Sequence, residues 1–218
     1  MINAGVFKSK QTAARKEFEF ILSQICNCYQ LMLVDYEVIE NDENKIRNRL
    51  VKDYLDNQII VEKLNLQPYF FDIEVPQIDK VYDETGRSDI KIYNAIERLK
   101  NRQSPYFIIE CKRLENSNTG KGSLNWKYVK NGIERFTSRY DYPTFYGING
   151  MIGFIVKPVK IDALVEAINQ LLTNNENLKP GLPKEKNVYL SEHADHRNYK
   201  IELYHLMFDF SSKILLYN

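Results

Sequence analysis

The run Pro105-Tyr106-Phe107-Ile108-Ile109-Glu110-Cys111-Lys112-Arg113 is apolar up to Ile109 and then sets a carboxylate and an amine two positions apart, with no turn residue between them. Side chains of a strand alternate between faces, so Tyr106, Ile108, Glu110 and Lys112 share one side and Phe107, Ile109, Cys111 and Arg113 the other. Both charges point the same way. At the rim of a sheet such a carboxylate can hold a metal ion, and the neighbouring ammonium can hold a water or a phosphate oxygen.

An acidic residue two positions before a lysine recurs at Glu43-x-Lys45, Asp89-x-Lys91 and Glu110-x-Lys112, and only the last closes a long apolar strand. Metal-assisted phosphodiester chemistry needs at least two anionic oxygens on one ion. In Gly86–Tyr93, GRSDIKIY, alternation sets Ile90 and Ile92 on one face and Asp89 on the other, so a neighbouring strand can bring Asp89 to Glu110. Glu43, Ile46, Leu50 and Tyr54 are spaced three, four and four, which places Glu43 on the apolar stripe of a helix. A carboxylate there is costly to bury unless an ion or a partner satisfies it. A rival assignment pairs Asp72 with Asp89-x-Lys91, and a plainer one makes Glu110 and Lys112 a strand-end ion pair.

These residues need a framework. Phe18, Ile21, Leu22, Ile25, Tyr29 and Met32 predict an amphipathic helix over about 13–33, and NDENKIRNRLVKDYLDNQ a second, capped by Asn41 or Asp42. Strands are expected over 68–75, 88–93 and 105–113, separated by the turn-rich DETGR and the polar KNRQS. After the loop NSNTGKGSLN, Trp126, Val129, Ile133, Phe136 and Tyr140 mark a helix interrupted only by Gly132. A central strand (147–156), a helix (161–172) and a C-terminal strand pair within 187–210, joined by HADHRN, complete the order. The expected fold class is α/β, one domain over 1–218 with a core of about 41–175, its central mixed β-sheet flanked by helices.

With 218 residues, 44% hydrophobic and 27% charged, the chain can bury a sizeable core. A net charge of +1 excludes a generally basic nucleic-acid coat, yet residues 98–139 hold ten Lys or Arg against three Glu, an excess of seven positive charges. Its start lacks the apolar stretch of a signal peptide and no window suits a membrane span, which predicts a cytoplasmic protein whose three cysteines stay reduced.

Together Glu43, Asp89, Glu110 and Lys112 resemble the PD-(D/E)XK nuclease superfamily, the restriction-endonuclease-like fold, over roughly 41–156. Ser88 stands where that pattern has its proline. The resemblance implies Mg²⁺- or Mn²⁺-dependent hydrolysis of nucleic acid, DNA favoured over RNA. Asp89, Glu110 and the Cys111 carbonyl would bind the ion, and Lys112 would orient or help deprotonate water. Glu43 would add a contact to a second shell or second metal. The helix after the motif strand would offer Tyr128, Lys130 and Arg135 to the substrate, with Arg113 beside them. Target choice is left to a homodimer, a partner protein or the loop 114–125, and a restriction or defence role follows by analogy. A non-catalytic nucleic-acid-binding or scaffold module of the same fold is the alternative. His193, Asp195, His196 and His205 fit a polar hairpin better than a metal site, and TGKGS lacks the spacing of a phosphate-binding loop.

Overall fold

The six apolar residues that predict the first helix are all buried along α1 (Ala4–Asp35), which runs longer than its stripe indicates. The computed structural model describes residues 4–78, 82–101, 104–139 and 141–214. After α1 come α2 (Glu43–Arg49), a π-helical turn (Leu50–Leu55) and α3 (Gln58–Lys63), the last not foreseen and capped by Asn57. A long hairpin follows, β1 (Tyr69–Ile78) and β2 (Glu84–Asn94), then α4 (Ala95–Lys100) and β3 (Tyr106–Leu114). DETGR is therefore not a turn throughout. From Glu84 it is strand, because Gln77 and Ile78 of β1 pair with Gly86 and Glu84.

The second half holds α5 (Leu124–Tyr128), a π-helical stretch (Val129–Ile133), α6 (Glu134–Phe136), β4 (Ile148–Ile155) and α7 (Ile161–Asn169). It ends with a 3₁₀ turn (Asn174–Glu176), β5 (Lys179–Pro180), β6 (Val188–Ala194) and β7 (Lys200–Asp209). The strands form one mixed sheet in the order β1-β2-β3-β4-β7-β6-β5, with β3, β4 and β7 parallel and the other neighbours antiparallel. Every residue of β4 is buried, as expected of a strand with parallel neighbours and helices on both faces.

One face carries Ile90, Ile92, Phe107, Ile109 and Cys111 against α1 and α2, where Phe18 stacks on Phe107 at 4.5 Å between centroids. The other carries Ile108, Leu114 and Met151 against Tyr128, Val129, Ile133 and Phe136 and against Leu164 and Ile168 of α7. Among the described residues no helix is long and apolar enough to cross a membrane. All three cysteines are buried free thiols.

The helix expected over 126–140 ends at Phe136, and Tyr140 lies outside the described residues. The buried stripe runs through Asn125, Tyr128 and Gly132 as well as Val129, Ile133 and Phe136, so Tyr128 is wholly buried and Trp126 only partly. Gly132 allows the close approach, since a Cβ there would lie 2.4 Å from Met151 Cε. Gly147, entering β4 at φ +70°, is more constrained, because its Cβ would meet the Lys200 backbone carbonyl at 2.7 Å. Gly147→Ala should therefore cost about 2 kcal/mol or more, combining a left-handed alanine with a clash that no side chain can relieve. Urea unfolding would register this as a lower midpoint at unchanged slope.

Candidate active site

Strand β2 pairs with β3 only between Tyr93–Tyr106 and Ile90–Ile109, and beyond Ile90–Ile109 the two diverge. Two N–H groups on the edge of β3 that β2 leaves are taken by carboxylates instead. Cys111 N donates to Asp89 Oδ2 at 2.7 Å, and Arg113 N to Glu43 Oε2 at 2.8 Å. Unpaired backbone donors are costly to bury, so the splayed ladder itself fixes both acids at the end of β3. Glu43 arrives there as the first residue of α2, whose start is set by Asp42 accepting from Lys45 N at 2.9 Å.

The remaining oxygens gather on one cation. Lys112 Nζ lies 2.8 Å from Glu110 Oε1, 3.2 Å from Glu43 Oε1 and 3.8 Å from Asp89 Oδ2, and it donates to the Cys111 carbonyl at 2.7 Å. Burial pushes the ammonium's pKa down, but Glu110, Asp89 and Glu43 together outweigh it and raise the pKa above the ordinary value. Lys112 is thus a proton donor held in place, not a free base.

Glu110 is fully buried. Arg135 Nη1 donates to its Oε1 at 2.8 Å and Tyr142 Oη to its Oε2 at 2.7 Å. Burial, then the Asp89 charge, raises its pKa to about 7 against the opposing pull of Lys112 and Arg135. Asp89 Oδ1 accepts from Arg47 Nη1 at 2.6 Å, and Arg47, 2% exposed, also pairs with Glu74 at 2.5 Å. Glu43 and Lys112 border an open cleft of about 410 Å³ with Asp42, Asn44, Arg113 and Lys127.

Glu43, Asp89, Glu110 and Lys112 are therefore neighbours, although the sequence scatters them over 70 positions. The rival residues are engaged elsewhere: Asp72, opposite Lys91 in the β1–β2 pair, accepts from Tyr93 Oη at 2.6 Å, Lys91 lies over the Tyr106 ring, and Asp89 is held by Cys111 N and Arg47. Tyr128, expected to reach substrate, instead bonds His205 Nδ1 at 2.8 Å inside the core, because it shares the buried face of its helix with Asn125 and Gly132. Lys130 pairs with Glu134 one turn on. Arg113 holds the Asn41 carbonyl and side chain at 3.0 and 2.8 Å. Arg135 does reach the site, but its guanidinium is spent on Glu110 and the Arg87 carbonyl and is not presented as an open fork.

Sequence reasoning missed Arg47 and Tyr142. Arg47 had a signal, since it follows Glu43 by one helical turn on the same face. Tyr142 had none, lying in an irregular loop. HADHRN is not all loop either: His193 is in β6, and His193 and His205 share Ser191 Oγ at 2.6 and 2.7 Å, a buried polar chain in place of a metal site.

Among the described residues, as their side chains stand, no three His, Cys, Asp or Glu groups form a metal-binding cluster. The donor set around Lys112 Nζ nonetheless suits a hard divalent cation: carboxylate oxygens and one carbonyl, all within 3.8 Å of one positive centre. Asp89, Glu110 and the Cys111 carbonyl would hold such an ion. The Cys111 thiol would not, since it points into the other core and burial pushes its pKa well up. No protein-family model, curated protein or solved structure matches the chain.

Proposed function

We propose that this chain is a metal-dependent nuclease with a restriction-endonuclease-like core, hydrolysing phosphodiester bonds of nucleic acid, DNA in preference to RNA. The observation that carries the reading is the convergence of Glu43, Asp89, Glu110 and the Cys111 carbonyl on Lys112 Nζ at a splayed strand edge open to solvent. Bound Mg²⁺ or Mn²⁺ would supply Lewis acidity and an acidified water. The chain's own residues have other tasks. Lys112, kept protonated, donates to a phosphate oxygen or orients water, stabilising charge that develops in the transition state. Arg47 and Arg135 hold Asp89 and Glu110 in their rotamers, and Glu43 positions the Lys112 ammonium. Of the basic excess, Lys112 and Arg135 serve the site, while Lys100, Lys130 and Arg139 pair with acids.

Labelled duplex DNA, single-stranded DNA and RNA incubated with Mg²⁺ or Mn²⁺ and with EDTA test this. Cleavage that requires the metal is expected. Absence of cleavage with salt-dependent binding retained in EDTA would favour the binding module, which needs only a basic surface.

A pH dependence follows from Glu110. The ion needs its carboxylate ionised, so metal-dependent activity should rise roughly tenfold per pH unit below about 7 and level off above it. The stability effect has the opposite sense. Because the folded pKa is raised, this group's contribution is complete below the ordinary glutamate range and is lost as pH rises through about 7. A pH–rate profile for wild type at Mg²⁺ well below saturation, where protons and metal compete for Glu110, measures the first, and a flat profile from pH 5.5 to 8 would contradict it.

A further inference from the structure

On the face that carries Asp89 and Glu110, the helices of the second core cover β3 from Ile108 onward but leave a corner of the sheet open. Strand alternation sets Lys91 and Tyr93 beyond Asp89 on β2, and Tyr106 beyond Glu110 on β3, with Tyr93 and Tyr106 opposite each other. Phe70 of β1 pairs with Tyr93 and is 52% exposed, its ring 5.7 Å from the tyrosine's. Arg98 lies 4.0 Å over the Tyr93 ring and Lys91 4.0 Å over Tyr106, and Phe145, 44% exposed, closes the far side. Asp72, Lys91, Tyr93, Arg98, Tyr106 and Phe145 line a cleft of about 430 Å³, in which the Tyr93 hydroxyl donates to the Asp72 carboxylate.

Tyr106 packs in part against the second core and donates its hydroxyl to the Pro143 carbonyl at 2.7 Å, as Tyr93 does to Asp72 at 2.6 Å, but both rings stay half-exposed and Phe70 and Phe145 are open to solvent. Rings interleaved with cations are the composition that grips single strands, since bases stack on the rings and phosphates meet the cations. Along a strand, same-face side chains repeat about every 6.6 Å, so the track leads from the Asp89 site over about 13 Å to Tyr93. A duplex would bury its bases and present nothing to these rings. An exposed cation–π contact is weaker than base stacking, so Arg98 and Lys91 yield their ring faces and turn to phosphate.

Resting on the nuclease reading of the Asp89–Glu110–Lys112 site, we infer that its substrate is single-stranded nucleic acid whose unpaired bases stack on Tyr93, Tyr106 and Phe70. Binding is measured in EDTA and in the Lys112→Ala chain, so that cleavage plays no part. The probes are fluorescein-labelled oligothymidylate, oligouridylate and a mixed-sequence duplex, read by anisotropy. Both single strands should bind more tightly than the duplex, and the ratio of the two decides between DNA and RNA.

Tyr93→Leu, which keeps apolar bulk, should weaken single-strand binding about tenfold or more, and Tyr93→Phe should leave it near wild type. Arg98→Ala, on the surface of α4, should weaken binding and lower its salt dependence by about one counterion. Tyr93→Leu binding as tightly as its parent, preference for the duplex, or no binding of any probe would overturn the inference. Tyr93-dependent binding without metal-dependent cleavage by wild type would instead keep the track and remove the catalytic reading.

Discussion

Lys112→Ala should bind Mn²⁺ at least as tightly as wild type and yet cleave about 10² to 10³-fold more slowly at saturating metal. The two halves of this result have separate causes. The ammonium stands among the oxygens of Glu43, Asp89, Glu110 and Cys111, so a divalent ion must displace it or share its ligands. Removing it takes away a competing cation, and the acids retain other anchors: Cys111 N for Asp89, Arg113 N for Glu43, Arg135 and Tyr142 for Glu110. The rate falls because the variant loses the protonated donor that Glu43, Asp89 and Glu110 hold at this point. A strand-end ion pair with no catalytic role makes the contrary prediction, since its loss would change stability and leave any cleavage untouched. Initial rates over a Mn²⁺ titration separate the two quantities.

Arg47→Met should lower folding stability by about 3–5 kcal/mol, the range for removing one member of a buried ion pair. Arg47 is 2% exposed and is the charged partner of both Asp89 and Glu74. Methionine keeps much of the side chain's volume, so the loss reports the Asp89 carboxylate, left with the Cys111 N–H and the more distant Lys112, more than a cavity. The double variant Arg47→Met with Asp89→Asn should recover part of the loss, which a cavity would not allow. Chemical denaturation of the two single variants and the double variant gives the coupling energy directly. A single-variant loss under about 1 kcal/mol would show that Asp89 reaches water without Arg47.

Much of this architecture was legible in the sequence, for identifiable reasons. Period-two alternation in SDIKIY and the abrupt charge at the end of PYFIIECKR state which side chains share a face, and the apolar stripe after Asp42 states which way Glu43 points. Those local rules suffice to bring four residues together once β2 and β3 are neighbours. They do not encode the divergence of β2 from β3, which decides that Asp89 and Glu43 bond backbone N–H groups of β3. Nor do they encode the π-helical stretch over Val129–Ile133, since a one-residue insertion in helical register has no composition of its own, or the burial of Tyr128 against His205 just before it. The resemblance offers Arg135, with Tyr128 and Lys130, to the substrate from the helix after the motif strand, while the buried Glu110 beside which it stands is a tertiary fact.

The buried polar chain of Ser191, His193 and His205 teaches the same limit. Histidines near a turn suggest a polar hairpin, yet β6 continues through Ala194 and carries His193 into the interior, where burial lowers its pKa against the opposing pull of Glu176. Strand ends are set by pairing partners, here Ala194 with Lys200, and not by local polarity.

The most direct test is a titration of the metal-free protein with Mn²⁺ followed by electron paramagnetic resonance, comparing wild type with Glu110→Gln. The site assembled from Asp89, Glu110 and the Cys111 carbonyl predicts saturable binding in wild type that is lost or weakened at least tenfold in the variant, with both chains folded by circular dichroism. Equal binding by the two chains, or none by wild type, would contradict it.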